Sequence, residues 1–153
     1  MVSDAPDAVR ALLNAQWTAS NTDSKTPTFK KVYDVKEISL GTADYVLTYN
    51  SGMIPKFNGS SGNLIKKHFV TIDIRTAYDP SKDHSLSVAS TVTGHQHMLK
   101  IVEEIERIIK AYRIAPGSPF EEIRPANQSQ DLSDKRKGLF RNVYDVMLTE
   151  TNT

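Results

Sequence analysis

Two segments of the chain repeat their apolar residues every three or four positions, which is the spacing of a helix with one buried face. The first segment is Asp4–Trp17. Ser3 or Asp4 can cap this helix, and Pro6 suits its first turn. The second segment is His95–Arg113, which ends at a Pro/Gly break. The apolar stripe of this second helix includes Ile101, Ile105, Ile108 and Tyr112.

The other apolar segments favour β-strands, because they alternate or are rich in aromatic and β-branched residues. The predicted strands are Phe29–Ile38, Tyr45–Tyr49, Phe69–Thr76, Phe120–Arg124 and Leu139–Thr149. Gly52–Gly62 is the most turn-prone stretch, and Asn127–Gly138 is a polar loop. This order predicts an α+β fold, in which a mostly antiparallel sheet packs against one long and one N-terminal helix.

The strand Phe69–Thr76 alternates most regularly. Its apolar side comprises Val70, Ile72 and Ile74, and its polar side comprises Thr71, Asp73 and Arg75. Strict alternation is typical of a strand that is buried on one face and solvated on the other. We therefore expect the polar side of this strand to meet solvent.

The composition is that of an ordinary globular domain, and we expect a single domain over residues 1–153. The net charge is +1, so no global field attracts nucleic acid or membranes. The chain has no cysteine, which excludes disulfides and thiolate chemistry. No run approaches the roughly 20 apolar residues of a membrane span, and the N-terminus lacks an apolar signal core. We expect a cytoplasmic protein, unless it is packaged into a larger particle.

Two groups of residues are candidates for metal binding. His95 and His97 point to different faces of a helix, so they share a metal only in an extended segment, and a solvated helix start is the simpler interpretation. Asp73 is the second candidate, because acidic residues on strands hold Mg²⁺ in nucleases. The carboxylates that would complete such a site are Glu121, Glu122 and Asp145. Strand periodicity alone accounts for Asp73, so we predict no catalytic residue, no cofactor and no metal.

Three short basic clusters are candidates for phosphate contacts. They are Lys30-Lys31, Lys66-Lys67-His68 and Lys135-Arg136-Lys137. Solvation or a protein interface explains them better than specific nucleic-acid binding, because the total charge is near zero. No glycine-rich phosphate loop and no nucleophile elbow occur in the sequence.

The layout of the chain resembles the tail-terminator and neck proteins of long-tailed viruses. The resemblance rests on the N-terminal helix, the strand Phe69–Thr76 and the helix His97–Arg113. It also rests on Phe120–Arg124, Asp131-Leu132-Ser133, Gly138-Leu139-Phe140-Arg141 and the closing strand Asn142–Thr149. Proteins of that family are small α+β proteins without catalytic residues, and they form rings at the end of the tail tube.

The resemblance implies a structural virion protein rather than an enzyme. A homo-oligomeric ring, hexameric by resemblance, would dock on the last ring of tail-tube protein, stop tube growth and offer a surface to the head connector or neck protein. Such a protein is assembled in the host cytoplasm and resides in the virion.

A ring requires two different patches on each subunit. The candidate basic patch is Lys135, Arg136 and Lys137, and the candidate acidic patch is Glu103, Glu104 and Glu106. The candidates for apolar contacts are Met53, Ile54 and Phe57. Two other function classes stay open at this point. One is a metal-dependent nucleic-acid enzyme built on Asp73, and the other is a small binding module that acts as a monomer or dimer.

Overall fold

The computed structural model describes residues 4–22, 26–32, 44–58, 63–77, 94–111, 120–126, 129–131 and 139–152. Within these residues the regular structure comprises two α-helices and six β-strands. The helices are α1 (Ala5–Gln16) and α2 (Gly94–Ala111), and a short 3₁₀ helix, Ala19–Thr22, follows α1. The strands are β1 (Thr28–Lys31), β2 (Tyr45–Asn58), β3 (Asn63–Ala77), β4 (Phe120–Pro125), β5 (Gln130–Asp131) and β6 (Leu139–Asn152).

The six described strands form one sheet. Their order is β1-β2-β3-β6-β4, and β5 pairs with β6 next to β4. β1 and β2 are parallel, whereas the other neighbours are antiparallel. Both helices pack on the same face, α1 over β1, β2 and β3, and α2 over β3, β4 and β6. The predicted α+β fold with a mostly antiparallel sheet is confirmed.

Helix α1 begins where the sequence predicts. The Asp4 carboxylate accepts a hydrogen bond from the Asp7 amide at 3.1 Å, which satisfies one of the amides left unpaired at a helix start. Pro6 lies in the first turn, where its missing N–H costs nothing. The face toward the sheet buries Ala5, Val9, Leu12 and Leu13.

Helix α2 supplies the larger part of the helical core. Its buried residues include Met98, Ile101, Ile105 and Ile108, which pack with the apolar side of β3. The predicted stripe is therefore confirmed as far as Ala111, and Tyr112 lies outside the described residues. Full burial of one such side chain contributes about 1.5–3 kcal/mol. Neither described helix is both long and apolar enough to span a membrane.

The hairpin of β2 and β3 is longer than predicted. The turn prediction for Gly52–Gly62 is wrong over its first half, since β2 continues to Asn58 and β3 begins at Asn63. Cross-strand pairing outweighs the local preference for turns, and Gly52 lies at a register shift that bulges β2. Pro55 is tolerated because no described strand pairs with the other side of β2 at that point.

Two other predicted segments differ from the structure. The predicted strand Phe29–Ile38 is represented by β1, which ends at Lys31, and residues 33–40 lie outside the description. The predicted loop Asn127–Gly138 contains strand β5, whose two residues pair with β6. The strand predictions for Phe120–Arg124 and Leu139–Thr149 are confirmed, with longer bounds at their C-terminal ends.

Candidate functional site

The polar side of β3 is buried, so the expectation that it meets solvent is wrong. Thr71, Asp73 and Arg75 are only 7%, 0% and 9% exposed. They point away from the helices, because they alternate with Val70, Ile72 and Ile74 of the helix-covered core. Leu47 of β2 pairs with Asp73 and is also fully buried on this face. The sheet is therefore buried on both faces at its centre.

Asp73 is the centre of a charged network on the face away from the helices. Its carboxylate accepts hydrogen bonds from Arg75 at 3.1 and 3.3 Å and from Arg141 at 2.8 and 3.1 Å. The Tyr49 hydroxyl donates a further bond at 3.3 Å. The donors lie on β3, β6 and β2, so the network joins three adjacent strands. Burial of this carboxylate is tolerated because charged partners surround it.

The network shifts the pKa values of two of its members, Arg141 and Tyr49. The hydrogen bond from Arg141 to Asp73 raises the pKa of Arg141, which therefore stays charged. Burial, followed by the negative charge of Asp73, raises the pKa of Tyr49, so this hydroxyl stays a neutral donor. A carboxylate offers about four lone-pair sites, and five contacts from three side chains occupy those of Asp73. Asp73 has no acceptor site left for a metal ion.

The carboxylates expected to join Asp73 in a metal site have other partners. Asp145 accepts a hydrogen bond from Thr71 at 2.7 Å, and Glu122 pairs with Arg124 at 2.5 Å. The side chain of Glu121 lies outside the description. Within the described part of the chain, no group of three or more His, Asp or Glu side chains is arranged to hold a metal ion. The metal-dependent alternative lacks its required geometry there.

The histidine at the start of α2 is buried rather than solvated. The His97 Nε2 atom lies 2.6 Å from a carboxylate oxygen of Asp44, and both side chains are almost completely buried. The expectation of a solvated helix start is therefore wrong for His97, and the His95 side chain lies outside the description. Asp44 directly precedes β2, so this pair fastens the first turn of α2 to the sheet.

A second buried histidine pair joins β3 to β6. The His68 Nε2 atom lies 2.7 Å from Glu150, and the Phe120 ring packs edge-on against His68 with ring centroids 5.2 Å apart. His68 shares the helix-covered side of β3 with Val70, so this pair closes one end of the core. Both histidine pairs fix one element against another and are closed to solvent, which is typical of structural rather than catalytic groups.

Glu104 does not belong to an acidic surface, which corrects the sequence prediction. The residue is 2% exposed and turns inward from α2. Its carboxylate accepts bonds from the Thr18 amide at 2.7 Å, the Asn21 side chain at 3.1 Å and Arg107 at 2.5 and 3.0 Å. Burial raises the pKa of Glu104, but the bonds from Arg107, Thr18 and Asn21 outweigh burial and hold it below its ordinary value.

The outer face of α2 carries charges of both signs. Glu103 is exposed and Glu106 is partly exposed, as predicted, but Lys100, Arg107 and Lys110 lie among them. A shallow groove of about 360 Å³ runs between α2 and the 3₁₀ helix. Its lining comprises Ser20, Asn21, Lys100, Glu103, Glu104 and Arg107. This surface has no net acidic character to attract a basic patch.

The remaining interface candidates fall into two groups. Met53, Ile54 and Phe57 lie in β2 rather than in a loop, and their side chains lie outside the description. Residues Lys135, Arg136 and Lys137 lie outside the described residues altogether. Of the three predicted patches, only the acidic one has its side chains described, and Glu104 is buried there rather than on the surface.

Sequence reasoning missed the buried ion pairs. Alternation in β6 places Arg141 on the less buried side of that strand, but only the register Arg75↔Arg141 brings it to Asp73. Register depends on pairing between distant segments, which one sequence does not specify. The same holds for Asp44, whose partner His97 is distant in the chain.

No protein-family model matches the chain, and no curated protein sequence matches it.

Proposed function

We propose that the protein is a structural subunit that assembles into a closed ring in a virion, as a tail terminator or neck protein does. One observation carries the proposal more than any other. Strands β2 and β3 are long, and beyond Thr48 no described strand pairs with the outer side of β2. Open edges are sites of pairing with other chains unless they are protected.

The length of the hairpin follows from residue counts. β2 and β3 have 14 and 15 residues, which at about 3.3 Å per residue gives strands of about 46 and 50 Å. Helices α1 and α2 have 12 and 18 residues, or about 18 and 27 Å. On β3 the buried positions begin at His68, whereas Ile65, Lys66 and Lys67 are half-buried. The described core therefore begins five residues after the start of β3.

The buried ionisable groups support a structural role. Asp73, Glu104 and Glu150 each face an internal cation or histidine, and Asp44 faces His97. Groups that serve catalysis lie in a cleft where substrate reaches them, whereas these are closed by their own partners. The ionisable groups in the described core thus stabilise the fold, and the protein acts through its outer surface.

As a ring, the protein would stop tail-tube growth by complementarity of surfaces. One side of the ring would cover the last ring of tail-tube protein, and the other would receive the head connector or neck protein. Six subunits are expected from the resemblance to tail terminators. Ring contacts are heterologous, so each subunit presents two different surfaces that close under rotation. Assembly takes place in the host cytoplasm, and the product resides in the virion.

Electron microscopy of the purified protein tests this proposal. Class averages of closed rings with a central opening are expected, and added tail tubes should carry such rings at one end. Particles of monomer or dimer size under all conditions would contradict the proposal and favour a small binding module. Calorimetric titration with Mg²⁺ and Mn²⁺ addresses the metal-dependent alternative, and no heat of binding is expected, because the oxygens of Asp73 are occupied.

A further inference from the structure

Among the described strands, the sheet has two open edges at the same level along its strands. Pro55 of β2 pairs with Lys66 of β3, which pairs with Glu150 of β6, which pairs with Phe120 of β4. A second row runs from Gly52 through Phe69 and Met147 to Arg124. The outer half of β2 and the whole of β4 are therefore opposite borders of one four-stranded region. No described strand pairs with either border from outside.

The strand directions at these borders are compatible with continuation. Each neighbour from β2 through β3 and β6 to β4 is antiparallel, so β2 and β4 run in opposite directions. Suppose that β2 of a second copy lies beside β4, with the helices of both copies on the same side of the sheet. The new strand pair is then antiparallel as well. The alternation of the sheet then continues across the contact without a break, and the twist of the sheet rotates each copy against the last.

The two borders carry opposite formal charge. The hairpin segment 50–67 contains Lys56, Lys66 and Lys67 and no Asp or Glu, a net charge of +3. The segment 120–131, which covers β4 and β5, contains Glu121, Glu122 and Asp131 against Arg124, a net charge of −2. Lys67 and Glu122 lie in one row of the sheet, since both pair with Thr149. Opposite charges at the two ends of the same rows favour contact between unlike edges and disfavour contact between like edges.

We propose that the outer half of β2, residues Tyr49–Asn58, docks antiparallel beside β4 of a second copy of this chain, so that the sheet continues around the ring. This inference rests on the proposed ring and names the contact that closes it. The proposed contact supersedes the predicted one, in which a basic loop pairs with an acidic face of α2. That face is not acidic, because Glu104 is buried and lysine and arginine side chains flank Glu103. Pro55 and Pro125 each lack an N–H, which limits indiscriminate pairing along the two edges.

Charge reversal at one edge at a time tests the contact. The hairpin variant is Lys56→Glu/Lys67→Glu, and the edge variant is Glu121→Lys/Glu122→Lys. Lys66 is left unchanged because it lies directly opposite Glu150, so a glutamate there would disturb the fold. The control is Lys110→Glu, which reverses an exposed charge on α2 rather than on either edge strand.

Each variant alone should assemble at least about tenfold more weakly than the wild type at low salt, because like charges then meet at every contact. An equimolar mixture should assemble again, because each edge of one variant meets a complementary edge of the other. The Lys110→Glu control should assemble normally. Sedimentation velocity measures all four samples, and thermal melting checks that each variant is folded.

Two results overturn the proposal in distinguishable ways. If the wild type assembles and both folded variants assemble equally well alone, or if their mixture stays monomeric, the ring stands and this contact is wrong. If the wild type is itself monomeric, both the contact and the ring fail.

Discussion

The helix-covered half of the sheet and the outer segment of the β2–β3 hairpin use charge in different ways. In the covered half, Asp73 faces Arg75 and Arg141 within the same subunit. In the outer hairpin segment, residues 50–67, there are three lysines and no aspartate or glutamate. The first region directs its polar groups to its own fold, whereas the second carries a net positive charge along a sheet edge. Substitutions in the covered half should therefore change stability, and substitutions in the outer hairpin segment should change assembly.

The largest effect is expected in the covered half, at Ile105. Ile105→Asp places a charge without a partner in the apolar core under α2 and should lower the free energy of unfolding by about 4 kcal/mol. Ile105→Val removes one methylene group at the same site and should cost only about 1 kcal/mol. Urea denaturation measures both. A soluble Ile105→Asp protein with wild-type stability would contradict the packing of α2 on the sheet.

The next largest effect on stability is expected on the face of the sheet away from the helices. Asp73→Ala leaves Arg75 and Arg141 facing one another without their shared carboxylate, and should cost about 3 kcal/mol. Adding Arg141→Leu to that variant should recover part of the loss, because one of the two neighbouring cations is then removed. Chemical denaturation of the single and double variants measures the coupling. Additive losses would show that the network does not stabilise this face as described.

A smaller, pH-dependent effect is expected at Glu104. Its pKa is lower in the folded protein than the ordinary value of 4.5, so the carboxylate contributes stability above pH 4.5 that is lost as the pH falls through the folded pKa. Glu104→Gln should therefore cost about 2 kcal/mol at neutral pH, because hydrogen bonds to a charged group are lost.

The cost of Glu104→Gln should shrink as the pH falls below 4.5. Thermal melting of both proteins from pH 7 to pH 3 measures this difference. Glu103→Gln is the matched control, because Glu103 is exposed on the same helix, and its effect should be within about 0.5 kcal/mol. An equal cost of Glu104→Gln at every pH would contradict the stabilising role of its charge.

The smallest effect on stability is expected in the outer hairpin segment. Phe57→Ser lies near the hairpin end of β2, beyond the positions that β1 pairs, and should change the stability of the dissociated subunit by at most about 0.5 kcal/mol. The same change should weaken self-association, because apolar area at a contact supplies affinity. Melting at high dilution and sedimentation at high concentration separate the two effects. A large loss of stability in the dilute subunit would place Phe57 in the core instead.

The division between what was predictable and what was not follows the range of the interactions. The two helices and the final strand follow from local periodicity, and the Asp4 cap follows from residue type. The length of β2 does not follow from local sequence, because Gly52 and Pro55 favour turns locally and only pairing with β3 holds them in a strand. The burial of Asp73 also depends on register, which alternation along one strand does not reveal.

The molar mass of the wild-type protein in solution tests the central claim most directly. Multi-angle light scattering over a range of concentrations at low salt distinguishes a ring from a single subunit of 17.1 kDa. We predict a discrete species, because heterologous contacts that close under rotation give a finite assembly, and the resemblance to tail terminators sets its mass at about six subunits. A mass of one subunit at every concentration, with tail-tube protein added or not, would contradict the assembly role.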